Sequence, residues 1–139
     1  MSENIMTITS KIEKIENLFH AKGCSEEQIK YAEQALAITF PDEFILYVKK
    51  YGAISFYATE WTGLNVGERI NVVNATQKER ELNPDFPIDC FVLENQSIDG
   101  IVVAADSYGR VYSVQNERKN LLCSSISEYL DQCVERKNN

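Results

Sequence analysis

The stretch "FPDEFILYVKKYGAISFYATEW", Phe40 to Trp61, changes its periodicity at Gly52. Before that glycine, Phe44, Tyr47, Val48 and Tyr51 recur at the spacing that lines one face of a helix. Pro41 suits the first helical position, Asp42 and Glu43 complement the positive end of the macrodipole, and Lys49, Lys50 and Gly52 mark the C-terminus. After the glycine, "AISFYA" and "TGLNV" are short and rich in aromatic and β-branched residues, with "TEW" between them, which predicts a hairpin. Helices followed by strands, rather than the two in alternation, are the pattern of an α+β fold.

Upstream, "SKIEKIENLFHAKG" predicts an amphipathic helix with Ile12, Ile15, Leu18 and Phe19 on one face, opened by a Ser10–Glu13 capping box and stopped at Gly23. "SEEQIKYAEQAL" repeats the device: Ser25 and Gln28 form a box, Glu26 and Glu27 sit in the first turn, and Ile29, Ala32, Glu33 and Leu36 share a face, with Glu33 at its rim. Downstream, "NVVNATQKEREL" predicts a short surface helix that ends before the two prolines of "NPDFP". "IDCFVLEN", "GIVVAAD", "RVYSVQ" and "NLLCS", separated by "SIDG" and "DSYG", predict an antiparallel meander. Finally, "SISEYLDQCVERK" carries a Ser125–Glu128 box and a stripe of Ile126, Tyr129, Leu130 and Cys133, a helix that returns onto the sheet. The expectation is one α+β domain over residues 1–139, a largely antiparallel sheet flanked by N-terminal helices and a C-terminal helix.

The 139 residues suit one domain, and 44% hydrophobic with 25% charged residues argues against disorder, collagen and coiled coil. The apolar run "IVVAA", Ile101 to Ala105, is far too short to span a bilayer, and "MSENIMTITSK" lacks a basic region followed by an apolar one, so a cytoplasmic location is expected. The four cysteines Cys24, Cys90, Cys123 and Cys133 contain no C-x-x-C pair and there is a single histidine, His20, which points to reduced core thiols and no metal. With 21 acidic against 14 basic side chains, a formal charge of −7 and a pI near 4.8, the field repels phosphate backbones and favours cationic partners.

No nucleophile elbow, phosphate loop or dinucleotide fingerprint is present, and His20 sits near a helix end where a cation complements the dipole. The sequence suggests no cofactor. Glu94, Asp99 and Asp106 fall near neighbouring strand ends, where one protonated and one ionised carboxyl group could do acid–base work. Asp99 before Gly100 and Asp106 before "SYG" are more simply turn residues bonding local amides. Trp61, the only tryptophan, stands among Glu60, Thr62, Gly63 and Asn65, which places its ring at an edge, either capping the core or anchoring a partner.

The order of these signals, from about Ser25 to Val134, resembles the SUKH superfamily of bacterial immunity proteins and fungal Smi and Knr regulators, nearest its YobK-like bacterial branch. Leu36, Phe40, Pro41, Phe44, Tyr51 and Gly52 match the family's helix–proline–helix segment, and "NVVNATQKERE", "IDGIVVAADSYGRVYSV" and "SISEYLDQCVE" follow in its order. Where the family often has a double glycine, this chain has Gly52 and Ala53. The resemblance implies a non-enzymatic domain that binds and neutralises a cognate toxin domain, often a nuclease. On that reading the partner face comprises Glu60, Trp61, Asn65, Glu94, Asp99, Asp106 and Tyr108, with Trp61 and Tyr108 as anchors and the carboxylates facing Lys and Arg. A regulatory or scaffolding module of the same fold is the alternative, and a small hydrolase using Glu94, Asp99 and Asp106 is a third reading.

Overall fold

The computed structural model describes residues 7–98 and 100–138. In chain order these form α1 (Ile8–Glu13), β1 (Phe19–His20), α2 (Glu26–Leu36), α3 (Asp42–Tyr51), β2 (Ile54–Phe56) and β3 (Thr59–Glu60). A 3-10 turn (Glu68–Ile70) leads into α4 (Val72–Leu82), then β4 (Cys90–Ile98), β5 (Ile101–Asp106), β6 (Val111–Gln115), β7 (Arg118–Cys123) and α5 (Ile126–Val134), with a closing 3-10 turn (Glu135–Asn138). The class is α+β, as the spacing predicts. No helix among the described residues is long and apolar enough to cross a membrane.

Helix α3 buries the predicted stripe of Phe44, Tyr47, Val48 and Tyr51 and ends at Gly52, whose φ of 75° favours glycine. Pro41 stands one residue earlier than expected, as the extended N-cap at φ −69° and ψ 156°. In α2 the Ser25–Gln28 box forms in full: Gln28 N donates to Ser25 Oγ at 3.1 Å and Ser25 N to Gln28 Oε1 at 2.9 Å. Glu33 is half-buried at the rim, where its carboxylate accepts Phe40 N at 2.8 Å.

The first helix departs from the prediction. It is capped by Thr7, not Ser10, and ends at Glu13. Asn17 turns the chain at φ 59°, and Phe19 and His20 pair with Ser55 and Ile54. Strand pairing with β2, a long-range contact, overrides a helical pattern that local spacing alone would extend to Gly23.

The hairpin after α3 is tighter than predicted: Phe56 and Ser55 pair with Thr59 and Glu60, and "TGLNV" forms no strand. Residues 61–64 instead run inward. Thr62 N donates to Leu93 O and its Oγ1 to Val92 O, both at 2.8 Å, which covers the outer edge of β4. Gly63 passes so close to Gly52 that a Cβ would lie 1.7 Å from the Gly52 carbonyl oxygen. Only glycine fits that crossing.

Strands β4 to β7 form the expected antiparallel meander in sequential order. One face, through Phe91, Leu93, Val103, Ala105, Val111 and Cys123, joins the main core with α1, α2, α3 and α5. The other face, through Cys90, Val92, Val102, Ala104 and Val114, closes on Phe86 and on Ala75 of α4. Full burial of a Val, Leu, Ile or Phe side chain contributes roughly 1.5–3 kcal/mol, so both faces matter. The Ser125 cap on α5 is half of a box: its Oγ accepts Glu128 N, but the Glu128 carboxylate accepts Ser124 N and Oγ.

Candidate functional site

The structure divides the expected partner-binding residues among separate places. Trp61 is not at an edge. It is 0% exposed, edge-on to Tyr47 at 5.4 Å and parallel to Tyr129 at 6.1 Å. Glu60 and Asn65 reach solvent while the chain between them dives inward after the hairpin, taking Thr62 with it, and that dive is what local polarity conceals. The Tyr47 hydroxyl supports this turn, donating to Thr62 O at 2.7 Å and accepting Ile54 N at 3.2 Å. The indole N–H makes no conventional hydrogen bond; it faces the Cys133 thiol, which burial pushes up to about 11 with a contribution from Glu94.

Glu94 is also internal, at 4% exposure. The register slips between Val92 and Glu94, which sets Glu94 opposite Val103 on the main-core face. Its Oε1 accepts the Tyr129 hydroxyl at 2.5 Å and its Oε2 accepts Arg136 Nη1 at 2.8 Å. The same guanidinium donates to Thr59 Oγ1 at 2.7 Å and to the Tyr129 hydroxyl at 3.0 Å. A buried carboxylate, an arginine from the C-terminal turn and the β3 hairpin thus form one network. Burial pushes the Tyr129 hydroxyl far above its usual range.

Asp106 lies on the other face and at the other end. It pairs with Cys90, three residues along β5 from Val103, a rise of roughly 10 Å. Its carboxylate, 1% exposed as a residue, accepts Tyr108 N and Arg110 N at 3.0 Å each, Arg110 Nε at 2.8 Å and the Tyr112 hydroxyl at 3.1 Å. This is the turn reading. Burial alone would raise the Asp106 pKa, but the Arg110 guanidinium and the two amides outweigh it and hold the carboxyl below the usual range. Glu94 and Asp106 therefore do not converge, and the acid–base reading built on them is corrected; Asp99 lies outside the described residues. Among the described residues no group of three or more His, Cys, Asp or Glu side chains is placed to hold a metal ion.

Three of the expected residues reach solvent. Glu60 pairs with Arg69 through both oxygens at 2.6 and 2.7 Å, which lowers its pKa, and its side chain stays 40% exposed. Asn65, at φ 61°, donates to the carbonyls of Gly23 and Lys22 at 3.3 and 3.4 Å and so ties its loop to the start of α2. Tyr108 is 83% exposed, with Arg110 stacked on its ring at 5.1 Å. Sequence reasoning missed Arg136, Arg110 and Arg69, the cations that complete these groups. Arg110 and Arg69 follow their partners closely in the chain and were within reach; Arg136 is 42 residues from Glu94, with no local signal. All four cysteines are buried and free; apolar spacing suggests this for Cys90, Cys123 and Cys133, while Cys24 has only the preceding Gly23 as a signal.

These features define an α+β protein in which helices cover both sides of an antiparallel meander and the buried carboxylates are bound by the chain's own cations. The model of the SUKH_5 family, described as SMI1-KNR4 cell-wall, matches residues 1–135, and the chain belongs to that family. No curated protein matches it.

Proposed function

We propose that this chain is a non-enzymatic immunity protein of the YobK-like bacterial branch, which binds and neutralises a cognate toxin domain, a nuclease, in the cytoplasm. The observation that carries this reading is the family match over residues 1–135. Two others support it: the candidate catalytic carboxylates Glu94 and Asp106 are committed to internal hydrogen bonds, and the charge of −7 suits a basic partner rather than a nucleic acid. Of the expected surface, Tyr108 is the exposed residue through which that partner would be met, while Glu60 and Asn65 reach solvent apart from it and are held by the chain's own groups, and Trp61, Glu94 and Asp106 are internal. The whole chain acts as one domain.

The test asks first whether a toxin domain is encoded beside this chain, and then measures growth of a sensitive host expressing it, with and without the chain, together with a pull-down of the pair. Rescue with a stable complex supports immunity. The family's cell-wall description favours one other reading, a regulatory or scaffolding module acting on an endogenous protein. Failure of rescue with a stable endogenous complex would establish that reading instead.

A further inference from the structure

The two most exposed large apolar side chains among the described residues, Tyr108 at 83% and Ile88 at 82%, stand at the same end of the main sheet. Cys90 and Asp106 form the last rung of the β4–β5 ladder, with Ile88 two residues before it and Tyr108 two after. Beside them lies a shallow depression of about 490 Å³, lined by Lys30, Glu33 and Gln34 of α2 and by Asp89 and Ser107.

Neither anchor is on a loose loop. The four hydrogen bonds of buried Asp106 fix the turn that carries Tyr108, and Arg110 packs against the ring. Ile88 is held by its own carbonyl, which accepts Arg80 Nη2 at 3.2 Å, while the same nitrogen donates to Leu36 O at 2.9 Å. Backbone held this way loses little further freedom on binding. An exposed tyrosine on a rigid support is the anchor type enriched at interface hot spots, and the exposed Ile88 beside it adds apolar area to bury.

The charge around them selects the occupant. Gly109 backs onto Pro41, a Cβ there lying 3.7 Å from Pro41 Cβ, so Asp42 at the start of α3 borders the same surface. Glu33, Asp42, Asp89 and Asp106 stand there against Lys30, Arg80 and Arg110; Arg110 neutralises Asp106, Arg80 is turned to the Leu36 and Ile88 carbonyls, and no ion pair among the described residues involves Asp42 or Asp89. A second copy of this chain would bring the same acidic patch, on a molecule of charge −7, against itself. A basic protein surface meets no such repulsion.

We propose that Ile88 and Tyr108, flanked by Asp42 and Asp89, form the docking surface for a basic protein partner. The two apolar side chains are the anchors, and the aspartates pair with Lys or Arg of that partner. The proposal rests on the immunity reading and assigns its interface to this end of the sheet, away from Glu60 and Glu94.

The experiment measures binding of the catalytically inactive toxin domain encoded beside the chain, by titration calorimetry at low and moderate salt. Four forms are compared: the full chain, Ile88→Ala with Tyr108→Ala, Asp89→Lys, and Phe19→Ala as an exposed aromatic elsewhere. The double variant is expected to bind at least roughly 100-fold more weakly, Asp89→Lys roughly tenfold more weakly with the larger loss at low salt, and Phe19→Ala within roughly twofold. Thermal unfolding of each variant is expected to match the full chain, since all these side chains are exposed. Tight binding by the full chain with the double variant unaffected overturns this interface and leaves the immunity reading standing. No binding by the full chain removes both. Self-association of the chain at high concentration that Tyr108→Ala abolishes would overturn the basic partner in favour of a second copy.

Discussion

Replacing Arg136 by leucine removes the counter-charge of Glu94, a carboxylate 4% exposed and reached by no other cation among the described residues. The Tyr129 hydroxyl would remain as a donor, yet one oxygen of an ionised carboxylate would be left buried with nothing to meet it. Breaking a buried pair from one side costs about 3–5 kcal/mol. Arg136 keeps 24% of its side chain exposed, so water reaches part of the site and the lower end applies. A loss of about 3 kcal/mol corresponds to a fall in Tm of roughly 12 °C in a chain of this size. Adding Glu94→Leu removes the stranded charge but leaves the Tyr129 hydroxyl unpaired, an uncompensated group worth about 1–3 kcal/mol. Adding Tyr129→Phe as well removes that too, so the triple variant is expected to be more stable than Arg136→Leu alone. Urea unfolding at neutral pH, with unchanged slope across the series, measures each step. If Arg136→Leu costs less than about 1 kcal/mol, the pair behaves as a surface ion pair and the burial argument is wrong.

Asp106→Asn keeps acceptors for the two turn amides but loses the charge opposite Arg110, and should cost about 2 kcal/mol at neutral pH. Because the Asp106 carboxyl is held below its usual range in the fold, its stabilisation is complete above the unfolded-state pKa and is lost as pH falls through the folded one; urea midpoints of wild type and variant should converge in acid. Thr76→Val, at a residue 0% exposed whose hydroxyl accepts Val92 N at 2.9 Å, should cost about 1–3 kcal/mol by the same unfolding assay, through an orphaned strand amide. Trp61 emission should be blue-shifted and insensitive to acrylamide in the native state and shift red in one step with global unfolding, whereas an exposed spectrum would contradict the burial of its ring.

Capping chemistry and apolar spacing made most of the architecture legible: α2 through Ser25 and Gln28, α3 through Phe44 to Tyr51, and the meander through its turn residues. The failures share a physical origin. Phe19 and His20 read as helix because their strand partner, Ser55 and Ile54, is more than thirty residues away along the chain. Trp61 read as an edge residue because the polarity of Glu60 and Asn65 says nothing of the inward path between them. Of the expected site, the turn role of Asp106 was visible from adjacent residues. The burial of Glu94 depended on a strand bulge and on Arg136, which only the folded chain brings together.

The main sheet is a wall between two unequal cores. Its smaller side, six buried residues including Cys90 and Phe86, is covered by α4 and the segment that follows, while the larger side holds Cys133 among the packed helices. Two compartments of such different size need not open together. The smaller has less apolar area to expose, so the Phe86 segment after α4 should lift from the sheet at a lower free energy than global unfolding requires, while α4 stays anchored by Val72 and Val73 in the larger core. Cys90 then becomes a clock for that local opening: a thiol reagent should reach it before Cys133, and the Phe86 amide should exchange before those of α3.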